Sequence, residues 1–241
     1  MQSIDKFNSN LGTAILLVGG AGSGKSVLGC RLFPKTYVNV TDLNFESAKR
    51  YLEKNNLLGR IVGWDTPLIG PEGKPVAANL RNQLMLSQID AAIKDPAVDA
   101  IFLDSATFIE DIFKAKICNA TSDGAIKMAG FEQWGNLVLA WKSLIMQLRQ
   151  SGKKLIMSAH ENKEKDESDQ IFKYQIAVEG SIRGKLPALF SDVWRCEVTE
   201  QQGKHVWQLR TLGNVRQEHL KNTFGFPAVL AQDEAVKLLS T

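Results

Sequence analysis

Cysteine is scarce in this chain. Cys30, Cys118 and Cys196 are the three among 241 residues; they are odd in number, far apart, and no two stand at a metal-ligand spacing. That argues against a disulfide framework or a zinc-finger cluster and predicts reduced, buried thiols of a cytosolic protein. A targeting signal is missing as well. The opening Met1-Gln2-Ser3-Ile4-Asp5-Lys6 has no basic stretch leading into an apolar run, and nothing later approaches the roughly 20 apolar residues of a membrane helix. A soluble, cytoplasmic protein with no membrane partner is expected. Charge of one sign is lacking too. Lys and Arg number 29 against 26 Asp and Glu, a net of +3, with a pI near 8.7; this permits contact with nucleic acid without demanding it. There is no internal repeat and no low-complexity segment. What the chain does have is 44% hydrophobic residues, enough for one sizeable core, so a single domain over residues 1–241 is expected.

Strand-like apolar runs alternate with helix-like segments, the pattern of a parallel sheet covered on both faces. Strands are predicted at residues 13–18, 37–41, 60–64, 98–104 and 154–158. Helices are predicted at 27–32, 45–55, 80–93 and 137–150. Pro67, Gly70, Pro71, Gly73 and Pro75 mark a surface loop. Residues 192–199 and 204–211 flank Glu200-Gln201-Gln202-Gly203 and predict an antiparallel hairpin extending the sheet. The expected class is α/β, three-layered, with a mostly parallel sheet and a C-terminal antiparallel extension. Residues 1–12 would be an N-terminal segment, 13–160 a nucleotide-binding core, and 161–241 the sheet extension and tail.

Between the first strand and the first helix lies Gly19-Gly20-Ala21-Gly22-Ser23-Gly24-Lys25-Ser26, followed by Val27. This is the G-x-x-x-x-G-K-S phosphate loop in its strand–loop–helix context. Glycines let successive backbone N–H groups turn inward around a triphosphate, and the helix start adds its positive dipole end. Lys25 would reach the β- and γ-phosphates, and the Ser26 hydroxyl would take one position on Mg²⁺. ATP and Mg²⁺ are the expected cofactors. A second metal-holding group belongs at the end of a buried strand, and Ala100-Ile101-Phe102-Leu103-Asp104 supplies it in Asp104.

The residue after Asp104 is Ser105, where many motor ATPases carry a glutamate base. Asp104-Ser105 resembles the D-S pair of the RecA and RadA recombinases, P-loop NTPases with a RecA-like core. That resemblance implies that the base stands at the end of the second strand, here Asp42 in Val38-Asn39-Val40-Thr41-Asp42. Glu46 is the reserve, and Asp42 also stands where a helix N-cap would. Ser158-Ala159-His160 is similar to the place where RecA-like proteins put a polar sensor of the γ-phosphate; a loop-capping histidine is the alternative. Gly180-Ser181-Ile182-Arg183-Gly184-Lys185-Leu186 resembles a glycine-led RadA loop. Leu220-Lys221-Asn222-Thr223-Phe224-Gly225 resembles the K-N-R-F-G motif, with Thr223 for arginine. Short bacteriophage proteins acting in annealing and recombination are the group implied, in the bacterial host cytoplasm. The resemblance further implies single-stranded DNA as partner and a homo-oligomer, ring or filament. Arg183, Lys185, Arg216 or Lys221 would then complete a neighbour's site in trans.

RecA-like cores bind DNA through loops after the fourth and fifth strands. The first would lie around residues 113–134, with Lys114, Lys116, Lys127, Gly124 and Gly130. The second would span 161–179 as a solvated, mobile loop, with six acids (Glu161, Glu164, Asp166, Glu167, Asp169, Glu179) against Lys163, Lys165 and Lys173, a poor phosphate grip. Phe172 and Tyr174 would stack on bases or pack on the domain. Residues 203–226 are more basic, with Lys204, Arg210, Arg216 and Lys221 against Glu218. The leading expectation is a DNA-dependent ATPase acting in phage recombination, annealing or replication. Two alternatives stand beside it: a small-molecule or nucleotide kinase, and a nucleotide-gated DNA-binding module with incidental turnover.

Overall fold

The first strand, β1 (Ala14–Gly19), is buried at every position, and its side chains divide between two cores. Leu16 and Val18 join Ile101, Leu103, Leu155 and Met157 on one side. Ile15 and Leu17 join Ala100, Phe102 and Ile156 on the other. Strand side chains alternate between faces, so an unbroken apolar run is what a strand covered on both sides requires. The structure, a computed structural model, describes residues 11–70, 72–123, 126–128, 130–165 and 171–240.

Chain order continues with α1 (Lys25–Gly29), β2 (Thr36–Val40), α2 (Phe45–Lys54), β3 (Ile61–Asp65), α3 (Ala78–Lys94), β4 (Ala100–Asp104), α4 (Ala106–Ile117) and α5 (Phe131–Gln150). Then come β5 (Lys154–Lys165), β6 (Phe172–Ile176), α6 (Ile182–Lys185), β7 (Asp192–Gln201), β8 (Lys204–Arg210), β9 (Val229–Ala231) and α7 (Gln232–Leu238). The described strands form one nine-stranded sheet in the order β3-β2-β4-β5-β1-β7-β8-β9, with β6 paired to β5. Strands β3 to β7 along that path are parallel, while β8 and β9 add antiparallel. This is the expected three-layer α/β architecture, a mostly parallel sheet with a C-terminal antiparallel extension.

Helices α3, α4 and α5 cover one face through Met85, Ile89, Ile109, Leu137 and Trp141. Leu28 of α1, Leu52 of α2 and Ala235 and Val236 of α7 cover the other. Burying Leu52 completely contributes about 2 kcal/mol, which holds an otherwise polar α2 to the sheet. Helix α1 lies so close that a Cβ on Gly29 would come within 2.4 Å of the Phe102 ring. No larger residue fits there.

Several expectations need correction. The fifth strand runs on past residue 158 to Lys165, so the described part of 161–179 is an antiparallel β5–β6 hairpin and not a mobile loop. Its acids are engaged: Glu161 pairs with Arg195, Glu164 with Arg183, and Glu179 with Lys114. Asp166, Glu167 and Asp169 lie outside the described residues, as do Gly124 and Pro71. Lys114 is no DNA-facing cation; it is 4% exposed between Glu110 and Glu179, each at 2.9 Å. Helix α5 begins at Phe131, six residues before the predicted start, which puts Trp134 in a helix. Cys30 and Cys196 are buried, but Cys118 is only half-buried. No helix among the described residues is long and apolar enough to cross a membrane.

Candidate active site

The carboxyl ends of β1, β2, β4 and β5 meet at one edge of the sheet, the place where open α/β sheets bind ligands. Gly19 at the end of β1 stands in register with His160 of β5, and Val40 of β2 with Asp104 of β4. Thr41 then ties β2 to β4. Its N–H donates to the Asp104 carbonyl at 2.7 Å, and its hydroxyl accepts from the Ser105 N–H at 2.9 Å. Sequence-distant Lys25, Asp42, Asp104 and His160 thereby line a single cleft of about 660 Å³, together with residues 21–24, Ser26 and Val27.

Within the phosphate loop, Gly24 adopts φ 87° immediately before α1, a left-handed conformation that favours glycine. Lys25 is buried, and its ammonium donates to the carbonyls of Gly19 at 2.9 Å and Gly20 at 2.7 Å. Burial lowers its pKa, opposed by the nearby Cys196, Asp104, Glu161 and Asp42. The ammonium therefore sits at the floor of the cleft, where a triphosphate would pass.

Asp104 is 2% exposed. Its Oδ1 accepts a hydrogen bond from the Ser158 hydroxyl, while its Oδ2 is buried with no hydrogen-bond partner among the described residues. Burial raises the pKa of this carboxyl, and the hydrogen bond from Ser158 and the nearby Ser26 hydroxyl offset part of the rise. An orphaned buried carboxylate oxygen beside a serine hydroxyl fits Mg²⁺, which takes one or two protein oxygens plus phosphate oxygens and waters. It does not fit an all-protein cage. No cluster of three or more His, Cys, Asp or Glu among the described residues is placed to hold a metal.

Asp42 lies just beyond β2, its Oδ1 accepting from the Asn44 N–H at 2.8 Å and its Oδ2 3.8 Å from His160 Nε2. Burial pushes its pKa up, but the His160 ring and the Asn44 N–H outweigh that and leave it below the ordinary value. Asn44, not Asp42, occupies the N-cap position of α2. Glu46 is turned to Arg50 at 3.2 Å and lines a separate apolar groove beside β3. His160 sits in β5 rather than on a loop; its N–H donates to Thr107 Oγ1 at 3.3 Å, and its ring meets Phe108 edge-on.

The late cations fall into two groups. Arg183 bonds Val178, Gln175 and Glu164 of its own chain. Lys221 donates to the carbonyls of Pro187 at 2.7 Å and Phe190 at 3.1 Å. Lys185 and Arg216 are exposed, and their side chains meet no hydrogen-bond or ion-pair partner among the described residues. Residues 221–226 hold the fold together: Thr223 bonds the buried Asp192 through its N–H and hydroxyl, and Phe224 and Phe226 pack on Trp194. Arg210 is engaged with Glu197. Tyr174 lies under the Arg195 guanidinium at 4.2 Å, so it packs on the protein, whereas Phe172 is 46% exposed.

The cleft also contains groups that sequence reading missed. Gln232 at the start of α7 donates through Nε2 to the Ser23 carbonyl at 2.8 Å. Trp207 of β8 donates to the Gly22 carbonyl at 3.3 Å. Asp233 pairs with Arg31 at 2.8 Å. Ser158 had one signal, a hydroxyl inside an apolar strand. Trp207 and Gln232 had none, because tertiary pairing alone brings them to a loop some 200 positions earlier.

The AAA domain family matches residues 11–223. Among solved structures, the flagellar accessory protein FlaH from Methanocaldococcus jannaschii is similar at 18% identity and a TM-score of 0.40, over 83% of this chain and 77% of that one. No curated protein sequence matches this chain.

Proposed function

Because this chain belongs to the AAA domain family and is by that membership an ATP-binding P-loop ATPase, we propose that it hydrolyses ATP in response to single-stranded DNA. It would act as a ring or filament of like subunits, in the phage recombination, annealing or replication setting that the RecA and RadA resemblance implies. The host cytoplasm is then its place of action. The observation that carries this reading is the Asp42–His160 pair facing Lys25 and Asp104 across one cleft.

Each residue has a defined task in that cleft. The loop N–H groups and Lys25 hold the β- and γ-phosphates and take up charge that develops on them. Ser26 and Asp104 would hold Mg²⁺, which would supply positive charge to offset that of the phosphates. Asp42, kept ionised at neutral pH, orients the attacking water and accepts its proton. His160 touches Asp42 on one side and opens to the cleft on the other, so loss of the γ-phosphate changes what its ring can bond. From His160 the strand continues into the β5–β6 hairpin, which offers a route from phosphate to the exposed Phe172 and a DNA strand.

Lys185 and Arg216 support the assembly reading, since Arg183 and Lys221 are satisfied within their own subunit. An exposed cation with no partner of its own can enter a neighbour's cleft, and loose phosphoryl transition states gain from such a charge. The test is steady-state phosphate release from Mg-ATP with and without single-stranded DNA. Stimulation by DNA supports the proposal, and an equal rate in both conditions defeats it. Phosphate transfer to an added nucleoside would favour a kinase instead.

A further inference from the structure

The cleft has two unlike walls. Helix α2 supplies Ser47, Ala48 and Tyr51, and the opposite wall comes from β8 and the start of α7. On the second wall Trp207 is 44% exposed. Its polar edge is spent on the phosphate loop, with Nε1–H donating to Gly22. Its Cδ1 is near enough that a Cβ on Gly24 would come within 3.0 Å of it. The neighbouring His205 ring is 6.4 Å away, with the two ring planes at 60°. The result is a flat apolar surface pinned by one edge to the rim of the phosphate site.

We propose that Trp207 is the platform on which the nucleobase of the bound triphosphate stacks. This rests on the nucleotide-site reading given above. Tyr51 is also half-exposed in the cleft, but it stands on α2 and makes no hydrogen bond to the phosphate loop among the described residues. Trp207 is hydrogen-bonded to the loop at Gly22, which ties its position to that of the phosphate site. Every base presents a π-face, and base–aromatic stacking is worth about 5- to 150-fold in affinity when the ring is removed. The platform therefore supplies affinity and orientation for a nucleoside triphosphate, with weak choice among bases.

Inorganic tripolyphosphate separates the two parts of the ligand, because it fills the loop and has no base. Calorimetry with magnesium should show Trp207→Ala weakening ATP by about 5- to 150-fold and tripolyphosphate by less than about two-fold. Trp207→Phe keeps a ring and should hold ATP within a few-fold of wild type. ATP should quench part of the wild-type tryptophan emission, tripolyphosphate should not, and the quench should vanish in Trp207→Phe, which guards against an alanine variant that fails to fold. Equal weakening of both ligands would overturn the proposal, leaving Trp207 a brace of the loop. Unchanged ATP affinity in the alanine variant would overturn it as well. If wild type binds neither ligand, the nucleotide site itself is wrong and the platform falls with it.

Discussion

Asp104→Asn is expected to stabilise the metal-free protein while disabling it. The wild-type carboxylate is 2% exposed, its Oδ2 lacks a partner among the described residues, and burial raises its pKa. A carboxyl whose folded pKa is raised favours the fold fully below the unfolded value of about 3.9 and loses that contribution as pH rises through the folded pKa. At pH 7 the ionised form therefore weighs against folding. An unpaired buried acceptor costs about 1–3 kcal/mol, more when charged. Asparagine keeps an oxygen for the Ser158 hydroxyl and removes the charge, but its amide also lacks a partner. The net gain is then at the low end, about 1 kcal/mol, which for a protein of this size is a Tm rise of about 2–4 °C. Thermal unfolding in chelator at pH 7 reads it directly. The gap should shrink as pH falls toward the Asp104 pKa, because protonation relieves the wild type. Saturating Mg-ATP should reverse the order by mass action. A variant that melts below wild type in chelator at pH 7, or that hydrolyses ATP with unchanged magnesium dependence, would refute the reasoning.

Asp42→Asn should bind ATP almost normally and hydrolyse it at least about a hundred-fold more slowly, the scale of losing a general base; a rate within a few-fold of wild type in a phosphate-release assay would move the role to another acid. Because the Asp42 pKa is lowered, the wild-type rate should not lose this base until pH falls below the ordinary aspartate range. His160→Ala should weaken the dependence of DNA affinity on nucleotide state more than it weakens ATP binding; if wild type binds DNA equally with ATP and ADP, there is no sensor for the variant to lose. Arg216→Ala or Lys185→Ala should be slow alone, as should Lys25→Ala, yet mixing the cation variant with Lys25→Ala should restore turnover in assemblies where an intact loop meets an intact cation. No recovery, with specific activity constant upon dilution far below micromolar protein, would indicate a self-sufficient monomer.

The parallel core was legible because its physics is local. The apolar runs at β1 and β4, and the glycine spacing between β1 and α1, each report a constraint contained within a few residues. Asp104 could be found because a buried strand that ends in an acid is unusual. The β5–β6 hairpin was hidden because Glu161, Glu164 and Lys163 read as solvated charge, and only the fold reveals that Arg195 and Arg183 neutralise the two acids. Lys114 misled for the same reason: its partner Glu110 lies one helical turn away, but its other partner, Glu179, is 65 positions on. Helix α5 was cut short at residue 137 because Gly135 and the fully exposed Phe131 weaken the apolar pattern of its first turns. Trp207 and Gln232 were beyond local reasoning, since their meaning depends on which strand lies beside which.

The bond from Gln232 to Ser23 spans 209 positions, and this bears on how the protein comes into being. β1 needs β5 and β7 as its two neighbours, which are synthesised more than a hundred residues later. Loop closure over such separations is slow, and folds dominated by distant pairings form late and from partly exposed intermediates. The phosphate loop therefore waits, unbraced, while the chain that will hold it is still on the ribosome. Translation must pass residue 232 before Ser23 gains its last support, so a ribosome-bound chain arrested near residue 200 should have its motif intact and its cleft unfinished.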